Sequence, residues 1–191
     1  MIGNGRRLLS VAALLLGLGA LAHAAYIPAK AWLAQQLLET AWRHRPPNGP
    51  AARPWAWADT RPLARLRQDR LGVDQIVLDG ASGRVLAFAP GHVAGSARPG
   101  ESGNVVFSGH RDTHFAWLAG LRLGDDLEME TAAGQRLQYR VERTRVHHES
   151  DVGLLEPGSG DQLRLLTCYP FDAVRPGTPW RYVVTASRVP L

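Results

Sequence analysis

The sequence predicts a mainly β domain with short helices, carried behind an amino-terminal transmembrane helix. Two observations carry this. From Leu71 onward, short apolar or alternating runs are broken by Gly, Asp and Pro, the pattern of strands joined by turns. Before that, Leu8 to Ile27 holds no Asp, Glu, Lys or Arg. Twenty residues at the helical rise of about 1.5 Å span about 30 Å, the thickness of a bilayer core.

Arg6 and Arg7 precede the apolar run, and the positive-inside rule keeps them cytoplasmic with the rest of the chain outside. Residues 1–28 are therefore read as a signal-anchor, with the following domain extracytoplasmic. A cleaved signal peptide is the competing reading, because Ala22-His23-Ala24 resembles a small-x-small cleavage site. Residues 29–70 read as an amphipathic helix followed by a tether. The helix runs from Ala29 to Arg45, with Trp32, Leu33, Gln36, Leu37, Thr40 and Ala41 near helical spacing. Pro46-Pro47-Asn48-Gly49-Pro50 stops it, and Pro54-Trp55-Ala56-Trp57 marks the tether. A short helix-like stretch of Leu and Arg fills 63–70.

Residues 71–191 form the candidate catalytic domain. Its predicted strands are Gln75–Leu78, Val85–Phe88, Asn104–Ser108, Leu127–Thr131, Arg136–Thr144, Gln162–Thr167 and Arg181–Arg188, with a helical turn at Phe115–Leu121. Alternation in Gln135-Arg136-Leu137-Gln138-Tyr139-Arg140-Val141-Glu142 suits a wall with one buried face. Such a series argues for a closed barrel or a sandwich, and periodicity alone does not choose between them.

The net charge of +5 would suit a nucleic-acid partner if it clustered on the fold. It does not: residues 1–70 hold ten Lys/Arg and three Asp/Glu, whereas 71–191 hold twelve and fourteen. The basic excess sits next to the membrane, where anionic headgroups would welcome it, and nucleic acid is set aside.

Cys168 is the only cysteine, so it forms no intramolecular disulfide. It closes the apolar run Leu163-Arg164-Leu165-Leu166-Thr167-Cys168, followed by Tyr169-Pro170-Phe171. An inert buried thiol is the ordinary fate of such a residue. A reactive one needs an imidazole or a cation beside it. His110 stands just past the run Asn104–Ser108, in Ser108-Gly109-His110-Arg111-Asp112. Arg181 opens the last run, Trp180-Arg181-Tyr182-Val183-Val184, where a guanidinium fork can face a developing oxyanion. Arg175 competes with it but precedes Pro176-Gly177 in a loop. His114, His147 and His148 raise the thought of a metal module, but there is no Glu beside His110 as in the zinc-protease motif, and no cofactor or metal is assigned.

Ser108-Gly109-His110-Arg111-Asp112-Thr113-His114-Phe115, then Leu165-Leu166-Thr167-Cys168-Tyr169-Pro170-Phe171, then Trp180-Arg181-Tyr182, resemble the three motifs of the sortases in order and spacing. These are membrane-anchored cysteine transpeptidases built on an eight-stranded barrel. The likeness covers about residues 70–191 and is nearest the class D-like branch and the small Gram-negative group. The Thr-Leu-x-Thr-Cys signature is kept here in relaxed form as Leu165-Leu166-Thr167-Cys168. The resemblance implies Cys168 as nucleophile, His110 as general acid/base and Arg181 as stabiliser of the tetrahedral intermediate. Thr167 would help shape the substrate and oxyanion site. Asp112 and His114 would orient His110 or line the groove, with a polar loop as the plain alternative.

The implied partner is a protein with an LPxTG-like carboxy-terminal sorting signal, cleaved at its Thr–Gly amide through a thioester. An amine acceptor, not identified by the sequence, would then take the acyl group. A catalytically inactive barrel that binds or scaffolds in the envelope is the alternative. A papain-like hydrolase fits poorly, since it calls for a helix-rich chain.

Overall fold

The computed structural model describes Gly17, Ala29 and residues 32–46, 49–151, 153, 160–174 and 177–190. The predicted anchor lies outside the described residues apart from Gly17. Among the described residues, no helix is long and apolar enough to cross a membrane. The chain divides into two compact units, Met1–Leu37 and Leu38–Leu191. Of the first, residues 32–37 are helical.

The second unit contains eight strands that close on themselves: β1 (Pro62–Gln68), β2 (Val73–Leu78), β3 (Gly91–His92), β4 (Asn104–Ser108), β5 (Asp126–Thr131), β6 (Arg136–His148), β7 (Gln162–Tyr169) and β8 (Trp180–Val189). Around the barrel the order is β1-β2-β3-β4-β7-β8-β6-β5. Closure decides between the barrel and the sandwich, and it leaves no unpaired edge. Most pairs are antiparallel; β2–β3 and β4–β7 are parallel. The parallel β4–β7 pair brings two strand ends, and the residues just beyond them, to the same rim of the barrel.

Every strand except the two-residue β3 contributes to the interior. Ala64, Leu66, Val105, Phe107, Leu127, Met129, Leu163, Leu165 and Val184 are all fully buried there, together with Phe115 and Leu118 from the loop after β4. A second cluster lies outside the barrel, where Leu38 and Trp42 of the amino-terminal helix pack with Ile76, Leu78, Val85 and Ala89. Arg45 reinforces it: its guanidinium lies over the Trp42 ring, donates to the Ala132 carbonyl and pairs with Glu130.

Three local readings are corrected. Residues 62–68 form β1, not a helix-like stretch, so the first barrel strand begins at Pro62. Leu63 and Leu66 mimic helical spacing, but Ala64, Leu66 and Gln68 alternate inward while Arg65 and Arg67 stand between them. Their guanidiniums pair with Asp74 on β2 and Glu128 on β5, across the two strands that flank β1. Val85–Phe88 is not a strand: Gly83–Leu86 forms one helical turn, its amino end capped by the Ser82 hydroxyl accepting from Val85 N–H. The helical face that packs is Leu38, Ala41 and Trp42; of the predicted stripe Ala41 is covered, whereas Trp32, Leu33, Gln36 and Thr40 are exposed. β6 also runs past Thr144 to His148, doubling along β8. The predicted turn at Phe115–Leu121 appears as a 3-10 helix over Ala116–Gly120.

Candidate active site

The register of β7 against β8 sets Cys168 directly opposite Arg181. Opposed residues of an antiparallel pair share a face. Along β7, Leu163, Leu165 and Thr167 are buried inward, so alternation turns Arg164, Leu166 and Cys168 to the outer face. Arg181 lies on that outer face as well. Cys168 is half-buried and forms no disulfide.

His110 arrives from the other side of β7. The β4–β7 ladder runs in register to Ser108 and Leu166. It is prolonged by Gly109 N–H donating to the Leu166 carbonyl at 3.1 Å and by the Thr167 hydroxyl donating to the Gly109 carbonyl at 2.7 Å. His110 follows Gly109 directly, on the chain just past the end of this ladder. Because β7 lies between β4 and β8, thiol and guanidinium face each other in one row across β7 and β8, and the imidazole stands on the segment that leaves β4 on the other side of β7.

Gly109 is needed for this path. A Cβ there would lie 2.8 Å from the Phe115 ring, which is fully buried in the core. The chain after β4 therefore passes flat over that ring, and Phe115 N–H donates to the His110 carbonyl at 2.9 Å. Arg111 ties the same loop to the one after β7, donating to the Ala173 carbonyl at 2.7 Å. His110 itself is exposed.

Thr167 is buried and faces inward, opposite to Cys168, with its hydroxyl committed to Gly109. It joins the strand that bears the thiol to the loop that bears the imidazole. His114 is tucked down beside the helical turn near Ala87. Its pKa is lowered, mainly by burial and then by the neighbouring His110, against the opposing pull of a bond to the Ala87 carbonyl and the charge of Asp112. Gln75 donates to the His114 carbonyl at 2.9 Å. Asp112 is exposed in the same turn.

Arg181 is held by its own surroundings. Its Nη1 donates to the Thr178 and Trp180 carbonyls at 2.6 and 3.0 Å, and its Nη2 to Glu149 Oε2 at 2.6 Å. Glu149 follows the end of β6, and its N–H donates to the Pro179 carbonyl, joining the loops on both sides of Arg181. The row continues to His147, opposite Arg181 on β6, whose Nδ1 lies 2.7 Å from Asp151 Oδ2. The rim beside the row is aromatic: Tyr182 stacks on Tyr169 and meets Phe171 edge-on. The Tyr169-Pro170 peptide is cis. Arg175, the competing arginine, lies outside the described residues.

Glu149, His147 and Asp151 do not stand out in the sequence as neighbours of this site. Only the register of β6 against β8 brings them to Arg181, and nothing local in Val146-His147-His148-Glu149 announces that register. Among the described residues, no group of three or more His, Cys, Asp or Glu is arranged to hold a metal ion. A separate surface cleft of about 630 Å³ lies at the far ends of β7 and β8, lined by Arg136, Asp161, Ser187 and Arg188. Its described lining includes no thiol or imidazole.

Comparison with known proteins supplies the family. The sortase-domain family model matches residues 66–189. Sortase D of Bacillus subtilis (strain 168) is 31% identical over 121 residues, which is 63% of this chain and 60% of that protein. The chain thus matches less than two thirds of that relative's length. A Clostridium perfringens Sortase D5 transpeptidase superposes with a TM-score of 0.60 at 25% identity, covering 68% of this chain and 80% of that one. Sortase C1 from Streptococcus agalactiae does so with a TM-score of 0.62 at 26% identity, covering 71% and 72%. With its barrel and well over half of its length matched in this way, the chain belongs to the sortase family.

Proposed function

We propose that this protein is a membrane-anchored cysteine transpeptidase that cleaves an LPxTG-like carboxy-terminal sorting signal and passes the acyl part to an amine. The observation that supports it most is Cys168 opposite Arg181 on β7 and β8, with His110 just past the end of β4, the other neighbour of β7.

In this reading the Cys168 thiolate attacks the carbonyl carbon of the Thr–Gly amide, forming a C–S bond and a tetrahedral oxyanion. Arg181 stabilises that charge, which is worth most where water is excluded. The C–N bond then breaks as His110 gives its proton to the leaving amine, and the acyl group remains on sulfur as a thioester. An incoming amine loses a proton to His110, forms the new amide bond and releases the thiolate. Water in place of the amine gives hydrolysis. Thr167 acts through position, holding Gly109 and hence His110 against the Cys168 strand. The apolar run Leu8–Ile27, with Arg6 and Arg7 before it, would keep the enzyme in the inner membrane and its barrel outside the cytoplasm.

The test is intact-mass spectrometry of the full chain with a sorting-signal peptide, with and without a small amine. The expected result is a Cys168-dependent acyl adduct, discharged to an amide product when the amine is present. Cys168→Ala should keep the fold and lose the adduct. Arg181→Lys should turn over poorly, because an ammonium cannot reproduce the planar fork. Undiminished cleavage by Cys168→Ala would overturn the proposal.

A further inference from the structure

The outer face that carries the row does not end at it. One step along the strands on that face, Arg145 on β6 stands opposite Val183 on β8, which stands opposite Leu166 on β7. Another step along, Arg143 stands opposite Thr185, and Thr185 opposite Arg164. Val183 and Leu166 form an apolar floor, with Val183 nearly inaccessible. Arg143 and Arg145 are exposed.

Six other arginines on or beside the strands meet carboxylates, whereas Arg136 at the exposed start of β6 has no ion pair among the described residues. Arg65 pairs with Asp74, Arg67 with Glu128, Arg70 with Asp125, Arg140 with Asp126, Arg181 with Glu149 and Arg188 with Asp161. Arg143 and Arg145 have no such partner among the described residues. The acidic groups nearest them in sequence are engaged: Glu142 accepts from the Ser187 hydroxyl, Glu149 from Arg181, and Asp151 Oδ2 lies 2.7 Å from His147 Nδ1. Arg164 adds like charge across β8 and donates to the neutral Gly153 carbonyl and Gln162 side chain. The pKa of Arg164 is lowered by burial and then by the charge of Arg143, so the two guanidiniums feel each other. Positive charge gathered on the face that carries Cys168, with no carboxylate paired to Arg143 or Arg145 among the described residues, favours an anionic ligand.

Strand geometry places that ligand. Arg143 and Arg145 lie two strands, or about 10 Å, across from Cys168, and about 13 and 7 Å along the strands from its row. The separations of about 16 and 12 Å correspond to about five and four residues of extended peptide. We propose that Arg143 and Arg145 form a docking strip for acidic side chains of the protein substrate, about four to five residues from the cleaved bond. The inference rests on the transpeptidase reading for the identity of the bond, and on the sheet register alone for the strip. Two solvent-facing ion pairs together provide about a tenfold preference at low salt.

The test measures binding, so that it does not depend on turnover. Fluorescent peptides carrying an LPxTG core and an oligo-Glu, oligo-Gln or oligo-Lys flank, upstream in one series and downstream in another, are titrated against the full-length Cys168→Ala protein in detergent. A scrambled core with each flank completes the set. The acidic flank should bind about tenfold more tightly than the neutral one in one of the two series, and high salt should erase the difference. In Arg143→Glu/Arg145→Glu the preference should reverse toward oligo-Lys, with circular dichroism confirming the fold. Arg143→Gln/Arg145→Gln should show neither preference. If all flanks bind alike in both series, or if charge reversal leaves the acidic preference in place, the strip is wrong. If the core contributes nothing while the flank preference persists and reverses with charge, the strip stands and the sorting-signal reading fails.

Discussion

Thr167→Val is the sharpest probe of how the site is assembled. The substitution keeps the volume of a buried side chain and deletes one hydroxyl, the group that donates to the Gly109 carbonyl at 2.7 Å. Losing that bond inside the protein costs about 1–3 kcal/mol, because the carbonyl it leaves behind is buried too. With a urea slope of about 1–3 kcal/mol per M, the unfolding midpoint should fall by roughly 1 M. The bond also joins the thiol strand to the loop that ends in His110. Its loss should therefore lower kcat by roughly tenfold while leaving KM nearly unchanged, as expected when a reacting group is slightly misplaced.

Thr167→Ser is the control. It gives up one buried methyl, about 0.8 kcal/mol, but retains the hydroxyl, so it should lose some stability and keep its kcat. The assays are urea denaturation and steady-state cleavage of a quenched sorting-signal peptide. Equal kcat values for the Val and Ser variants would refute the claim that this hydroxyl positions His110. An unmoved midpoint for Val would refute the claim that the bond supports the fold.

Gly109→Ala should destabilise the barrel by about 1–3 kcal/mol, read as a drop in the urea midpoint, because its Cβ meets the buried Phe115 ring at 2.8 Å. Glu149→Ala should leave the melting temperature nearly unchanged, since the pair with Arg181 is partly exposed, yet lower kcat by about tenfold by loosening the fork. A larger effect on melting than on turnover would assign Glu149 to stability instead. Acidification should act in two stages. The lowered pKa of His114 stabilises the fold above the free histidine value of about 6.5, and this is lost as pH falls through the folded value. Asp74, held down by Arg65 and Arg67 against its burial, and Asp125, held down by Arg70, contribute in the same sense below about pH 4. His114→Gln should remove the first stage of a midpoint-against-pH curve and leave the second.

Much of the site was legible because its groups sit where strands end. Cys168 closes a run of apolar residues, His110 follows one and Arg181 opens one, and such endings can be seen in a linear pattern. The helix-like reading of 63–70 failed for the complementary reason. Leu63, Leu66 and the arginines satisfy a short helical spacing as well as a strand spacing, and pairing with β2 and β5 decides between them. The packing face of the amino-terminal helix was misread for a similar reason. Trp32 and Leu33 look like natural anchors, but Leu38, Ala41 and Trp42 are the residues that are covered.

The sequence by itself determined the chemistry available: one thiol, an imidazole and a guanidinium at strand boundaries, a β-rich domain, and an uncharged run near the amino end. Tertiary structure alone decided which groups meet. The closed order of strands makes β4 and β8 the two neighbours of β7; register puts Cys168 opposite Arg181, and His110 follows the end of β4. Tertiary structure also put Glu149 on the Arg181 fork, turned Thr167 inward to hold Gly109, and left Arg143 and Arg145 with no carboxylate partner among the described residues on the face of the thiol. Local composition reports what a residue can do. Pairing between strands distant in sequence depends on burying one face of each of them at once, and no short window of the chain contains that information.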